Sequence, residues 1–266
     1  MEVEAGGIRI AYDRRGSGPP VVLVHGLGGT SKGIWRHLAG ELEGEFAVVA
    51  YDLRGAGASA VPPGPYSTDD FVSDLRALVG ELRIERPALV GHSFGGTIAL
   101  AYAAEYPAEV AGVVAVGGPT DLPDAARQGL RDRAKTVQEA GMEAVAETVA
   151  TNGLAPSFRE AHPEEFRAFI RLLAGNDPAG YAATCSAIAD LDLRGRLERI
   201  EAPVLLVGGD LDGVAPPAAQ AETAARIGAA RYVEVPDCGH ILPWEKPDVL
   251  RDEVVRFLGA LAPVAA

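Results

Sequence analysis

Cysteine is scarce: Cys185 and Cys238 are the only two in 266 residues. They lie far apart and in no metal-ligand spacing. Neither a disulfide framework nor a cysteine metal site is expected, and both thiols are read as free in a reducing compartment. A chain of this length with 48% hydrophobic residues builds a core without such staples. Long apolar runs are missing too, and none reaches the length of a membrane span. Met1-Glu2-Val3-Glu4-Ala5-Gly6-Gly7 has neither the basic nor the apolar part of a leader peptide. The expectation is a cytoplasmic protein with no membrane partner. Basic residues are outnumbered, 24 Lys and Arg against 37 Asp and Glu, for a net charge of -13. With no basic stripe, nucleic acid is not an expected partner. The acidity serves solubility, and an anionic substrate would need a local arginine to offset it. The oligomeric state is left open, a homodimer included.

What is present centres on Ala88-Leu89-Val90-Gly91-His92-Ser93-Phe94-Gly95-Gly96-Thr97-Ile98-Ala99-Leu100. An apolar run ends in Gly-x-Ser-x-Gly, and an Ala-rich helical segment follows to Tyr106. Strand, sharp turn and helix are the context that lifts a serine hydroxyl clear of a sheet and above a helix N-terminus. There the helix dipole and free N–H groups favour developing negative charge. Ser93 is the candidate nucleophile.

Around it, apolar runs and helical patterns alternate. Gly7–Asp13 alternates apolar and polar, as a half-buried edge strand does. Val21–Val24, Phe46–Tyr51, Val110–Val116, Val204–Val207 and Arg231–Val235 read as further strands. Helices are expected over Ile34–Glu41, from the Ser67-Thr68-Asp69-Asp70 cap through Val79, over Pro217–Ile227 and over Pro247–Leu261. Such alternation is the mark of a mostly parallel, doubly wound α/β sheet. It breaks between residues 121 and 194, where only helical segments are legible, at 125–149, 163–174 and 178–189. A helical insertion there reads as a cap over the sheet's carboxyl edge. The expected division is a core of 1–120 and 195–266 with a cap of 121–194.

Acyl transfer by serine needs a base, an acid that orients the base, and donors for the oxyanion. His240 follows the last strand and Asp212 the preceding one, giving the chain order Ser, Asp, His. After the first buried strand, His25-Gly26-Leu27-Gly28-Gly29 lacks the spacing of a phosphate cradle and reads as an oxyanion loop, with the Leu27 N–H as donor and His25 holding the loop. Asp52 and Arg54 are expected to pair with each other or with backbone groups and so fix their own loop.

These residues together resemble the α/β-hydrolase superfamily over essentially the whole chain. His25–Gly29 matches its oxyanion loop, and Asp52-Leu53-Arg54-Gly55-Ala56-Gly57-Ala58-Ser59 its Asp-x-Arg-Gly-x-Gly-x-Ser loop. Gly91–Gly95 matches the nucleophile elbow, and Gly209-Asp210-Leu211-Asp212-Gly213-Val214-Ala215-Pro216 the acid loop, which favours Asp212 over Asp210. Gly239-His240 with Glu245 and Pro247 matches the histidine loop. Within the superfamily, Pro62–Tyr66 and the run Asp177–Arg194 are similar to the 3-oxoadipate enol-lactonases and their lactonase and esterase relatives. Those enzymes often carry Leu-Ser-Met at the elbow. This chain has His92-Ser93-Phe94, as general esterases and carbon–carbon bond hydrolases of the superfamily do.

The resemblance implies a cofactor-independent ester or lactone hydrolase (EC 3.1.1 type), with Ser93, His240 and Asp212 as triad, the Leu27 and Phe94 N–H groups as oxyanion hole, and no metal. The same triad also serves hydrolysis of vinylogous diketones and perhydrolysis, and a binding or signalling module can retain it. A serine at the elbow speaks against dehalogenase or epoxide hydrolase chemistry, which needs a carboxylate there. Trp35 and Trp244 flank the motifs and are expected at the acyl pocket, with core packing as the competing account. An enol-lactone's free carboxylate would need a cation, and Arg127, Arg131 and Arg133 are the candidates, against a plain solvated helix face. His37, His92 and His162 are read as structural or exposed, and Cys238 as a small buried side chain.

Overall fold

Why the apolar runs carry no polar break is visible in how their side chains divide. The computed structural model describes residues 1–261. Its strands are β1 (Glu2–Ala5), β2 (Ile8–Arg15), β3 (Pro20–Val24), β4 (Ala47–Tyr51), β5 (Ala88–His92), β6 (Gly112–Val116), β7 (Val204–Gly209) and β8 (Ala230–Val235). They form one sheet in the order β1-β2-β4-β3-β5-β6-β7-β8. Strands β3 to β8 run parallel to their neighbours, while β2 is antiparallel to β4 and β1 to β2. Val22, Val24, Leu89, Val113 and Leu206 enter one core, and their chain neighbours Val21, Leu23, Val90, Val114 and Leu205 the other. A strand covered on both faces needs an apolar residue at every position.

The helices are α1 (Ser31–Ile34), α2 (Leu38–Leu42), α3 (Thr68–Glu81), α4 (Phe94–Glu105), α5 (Asp124–Ala140), α6 (Glu143–Gly153), α7 (Pro156–Ala161), α8 (Pro163–Ala174), α9 (Pro178–Ala189), α10 (Pro217–Arg226), α11 (Leu242–Glu245) and α12 (Pro247–Ala260). Helix α4 is apolar all round and buried from Phe94 to Ala104, as the helix behind a central strand must be. Helices α5 to α9 occupy the stretch between β6 and β7 that was expected to be helical, and an isolated bridge between Asp121 and Asp192 closes its base. Of the expected core segments, residues 262–266 lie outside the described ones. Among the described residues no helix is long and apolar enough to cross a membrane.

Three local expectations are corrected. The half-buried strand near residues 7–13 is not the edge, because β1 pairs outside it. That edge is four residues long with glutamates at positions 2 and 4, a short charged rim that discourages further pairing. The helix expected over Ile34–Glu41 is two short ones, α1 and α2, and in the break between them Trp35 is fully buried. Asp52 and Arg54 do not pair with each other: Asp52 binds backbone groups, the other expected account, and Arg54 departs from both. Asp52 accepts the Ser31 and Ala58 N–H groups at 2.7 and 2.9 Å. Arg54 instead makes a two-pronged pair with Asp74 on α3, at 2.6 and 2.7 Å.

The Asp74 side chain is only 3% exposed, so removing its partner strands a carboxylate. Arg54→Ala is expected to destabilise the fold by about 3 kcal/mol in urea unfolding. A loss below about 0.5 kcal/mol would mean the pair behaves as a surface pair.

Candidate active site

Ser93 stands between β5 and α4 with φ 53° and ψ -124°. A side-chain-bearing residue is held in this strained region only where its surroundings over-determine it. Here the surroundings are backbone packed where glycines leave no side chain. A Cβ on Gly91 would lie 2.2 Å from the Gly95 carbonyl oxygen, and one on Gly95 2.0 Å from that of Val24. A Cβ on Gly26 would lie 2.7 Å from the Ser93 Cβ, so the loop after β3 can pass directly beside the serine. The Ser93 N–H donates to the Val116 carbonyl at 2.7 Å, tying the turn to β6.

The loops after β7 and β8 bring the other two residues to it. The Ser93 hydroxyl lies 2.8 Å from His240 Nε2, and His240 Nδ1 lies 2.8 Å from Asp212 Oδ2. Oδ1 of Asp212 accepts the Val214 and Ala215 N–H groups at 2.8 and 2.9 Å. With the carboxylate accepting from Nδ1–H, Nε2 is left free to accept the serine proton. Burial pushes the Asp212 carboxyl up, but the His240 ring and the two N–H groups outweigh it and hold it below the usual carboxylate range. Asp210, the other acid of the loop, accepts the Cys238 N–H at 3.2 Å and stays outside this chain of bonds.

The backbone N–H of Phe94 opens α4 and has no partner within the helix. That of Leu27 makes no hydrogen bond among the described residues. Both residues line, with Ser93 and His240, a cavity of about 270 Å³ between the sheet's carboxyl end and helices α5, α6, α8 and α9. Its wall is apolar, with Leu130, Val149, Phe169, Leu173 and Ile188 among the lining residues. Arg133 is the only lining residue with a fixed charge, and it makes no ion pair among the described residues. A hydroxyl, its proton acceptor, an orienting carboxylate and unpaired N–H groups at one largely apolar cavity are the parts that acyl transfer needs.

Residues 19–247 match the family model of the alpha/beta hydrolase fold. The chain belongs to the α/β-hydrolase family. It is 31% identical over 236 residues to "3-oxoadipate enol-lactonase 2" of Acinetobacter baylyi, covering 89% of this chain and 87% of that protein. The enol-lactonase structure from Burkholderia xenovorans superposes with a TM-score of 0.93 at 30% identity, over 97% of this chain and 100% of the other. A thermophilic esterase from Thermogutta terrifontis gives 0.91 at 29% identity, over 97% of each chain.

In this α/β-hydrolase several side chains settle away from where the sequence suggested. Neither Trp35 nor Trp244 lines the cavity. Both are packed into the core, 0% and 5% exposed, and the Trp244 indole N–H donates to the Gly33 carbonyl at 3.0 Å. Both belong to the core that also holds Ile34, Leu38 and Leu42 of α1 and α2. Of the three candidate arginines, Arg127 is spent on the carbonyls of Leu122, Ala189 and Leu191 and on Asp121, and Arg131 pairs with Asp190 in solvent. His25 holds its loop as expected, its Nε2 accepting the Leu53 N–H at 3.0 Å. Cys238 is fully buried, and burial pushes its thiol up.

Asn176 carried no signal in the sequence, and His92 was read there only as structural or exposed. Asn176, before α9, donates to the Gly28 carbonyl at 2.8 Å and so ties the helical segment to the loop beside Ser93. His92 lines the cavity, and its Nε2 donates to the His240 carbonyl at 3.0 Å.

Burial, with His240 as the next cause, lowers His92 to about 3. Burial lowers His25 in the same direction. The unfolded imidazole takes its proton near 6.5 and the folded one does not. His92 therefore makes stability fall as pH drops from about 6.5 toward 3, by up to about 1.4 kcal/mol per pH unit, and His25 acts in the same direction. Urea unfolding across this range should show a shallower acid slope for His92→Gln than for the native chain, and equal slopes would contradict the assignment. Gly95→Ala should cost more than about 3 kcal/mol, because its Cβ meets carbonyl oxygens that cannot retreat. A Tm within about 2 °C of the native value would refute that.

Proposed function

We propose that this α/β-hydrolase cleaves a small carboxylic ester or lactone that itself carries a carboxylate, with Ser93, His240 and Asp212 as catalytic triad. The observation that carries the reading is the Ser93–His240–Asp212 chain of 2.8 Å bonds opening on an apolar cavity whose one fixed charge, among the described residues, is Arg133. His240 Nε2 takes the Ser93 proton as the oxygen attacks the carbonyl carbon. The Leu27 and Phe94 N–H groups receive the oxyanion, a contribution of roughly 3–4 kcal/mol per donor where such donors have been removed in other enzymes. The leaving alkoxide or enolate takes the proton from His240. Water, deprotonated by the same ring, then releases the acid from Ser93. In a lactone the leaving oxygen remains attached to the acyl group, so one product results.

The helical stretch 121–194 acts as the cap that dries this cavity, and drying strengthens the pull of Arg133 on an anion. A single cation in an apolar wall suits a substrate with one carboxylate near its ester. It also supplies the local attraction that a net charge of -13 otherwise denies an anion. The relatives named enol-lactonases support 3-oxoadipate enol-lactone as the specific substrate, and those named esterases support the wider class.

Steady-state hydrolysis of 3-oxoadipate enol-lactone beside p-nitrophenyl acetate tests the reading. The lactone should be preferred by more than about 100-fold in kcat/KM, and Ser93→Ala should lower both activities by about 10⁴-fold or more. Arg133→Met should raise KM for the lactone about 10- to 100-fold, the worth of a hydrogen bond to a charged group, and leave the neutral ester within twofold. Preference for the ester with Arg133→Met silent would remove the anion from the account. Turnover surviving Ser93→Ala would overturn the mechanism.

A further inference from the structure

The proposed chemistry leaves a buried carboxylate beside the base without a task. Glu245, the last residue of α11, is 7% exposed. Its Oε2 accepts the Gly239 and Ala155 N–H groups, both at 2.9 Å, and its Oε1 accepts the Ile241 N–H at 3.1 Å. Two of these donors bracket His240, and the third belongs to the turn between α6 and α7. The His240 N–H itself donates to the carbonyl of Gly153 in the same turn at 2.7 Å. On the far side the His240 carbonyl accepts from His92 Nε2 at 3.0 Å. Each N–H from residue 239 to 241 is thus held from outside the loop's own strand. Gly239 is drawn in so closely that a Cβ there would lie 2.6 Å from the Gly153 carbonyl oxygen.

Three donors aimed at one carboxylate make charge-assisted bonds, the stronger kind. Together they define where the His240 backbone sits, and a misplacement of about 1 Å in a reacting group can cost about 100-fold in rate. A loop that only had to be folded would need neither the charge nor the link across to the helical segment.

We propose that Glu245 is a positioning residue for His240, clamping the histidine loop to the 153–155 turn so that the helical segment, with His92 opposite, sets the reach of Nε2 to Ser93. This rests on the reading of His240 as the base. The clamp makes residues 153–155 a fixed hinge of the helical segment. Gly153 and Ala155 do not act on the substrate, yet their place in space is read by the reaction.

The test uses p-nitrophenyl acetate with active sites counted by fluorophosphonate labelling. Glu245→Gln keeps the shape and loses the charge and one acceptor. Its kcat per labelled site should fall about 10- to 100-fold with KM within twofold. His92→Leu should lower kcat in the same manner, and His92→Gln, which restores a donor, should recover part of it. Should Glu245→Gln fail to fold, the two His92 variants decide the matter. Wild-type kcat per site in folded Glu245→Gln, or equal kcat in His92→Leu and His92→Gln, would overturn the clamp. Ser93→Ala and His240→Ala run beside them. If these two are dead while the clamp variants turn over normally, only the positioning role fails. If they remain active, the reading of the site fails with it.

Discussion

The backbone at Ser93 can keep its positive φ only because strand, helix and neighbouring loop close around it without side chains. Gly91 admits the first turn of α4, Gly95 admits the end of β3, and Gly26 admits the Ser93 side chain itself. A Cβ on Gly91 or Gly95 would press on backbone, and one on Gly26 on the Ser93 Cβ. The strain is stored in the centre of the sheet, where β5 lies between β3 and β6 and is buried at every position. Because β3 to β8 are parallel, the loops that leave their carboxyl ends meet on the same side. The loop after β3 brings Leu27, that after β7 brings Asp212, and that after β8 brings His240. A strained turn in the middle, with tied loops around it, is an arrangement in which one sheet holds the Ser93 hydroxyl in a fixed place.

The helical segment between β6 and β7 does more than cover this edge. Asn176 holds the Gly28 carbonyl on one side of the serine, and Gly153 and Ala155 engage the histidine loop on the other. The two loops that flank Ser93 are therefore each tied to the same helices. Packing of α5 against α9, with Tyr181 and Cys185 buried between, fixes the wall that carries Arg133. The Tyr181 phenol, which burial pushes up to about 12, adds no charge to that wall, as an ordinary tyrosine would not near neutral pH. In such surroundings one cation is felt far more strongly than it would be on an open surface.

Much of this was written in local sequence. The buried strands, the elbow glycines and the order Ser93, Asp212, His240 depend on residue type and spacing, and the structure puts all three side chains within hydrogen-bond reach. What sequence did not carry depends on long-range packing. Strand β1 is four residues with alternating glutamates, too short for a period to stand out. Arg127, Arg131 and Arg133 lie on one helix, and only the fold shows that the first is consumed by carbonyls, the second by Asp190 and the third faces the cavity. Trp35 and Trp244 sit beside motifs in the chain yet point into the core. Arg54 pairs with Asp74, twenty residues on, because α3 packs there. Asn176 and Glu245 act through backbone groups remote in sequence, and no periodicity announces such partners.

The account turns on the Ser93 oxygen being the atom that attacks the carbonyl. Titration of the protein with a fluorophosphonate, followed by peptide mass spectrometry, measures this without knowledge of the substrate. The account predicts about one adduct per chain, located on Ser93, formed in step with loss of esterase activity and absent from Ser93→Ala. An adduct on another residue that tracks the loss, or activity persisting with Ser93 fully modified, would contradict it.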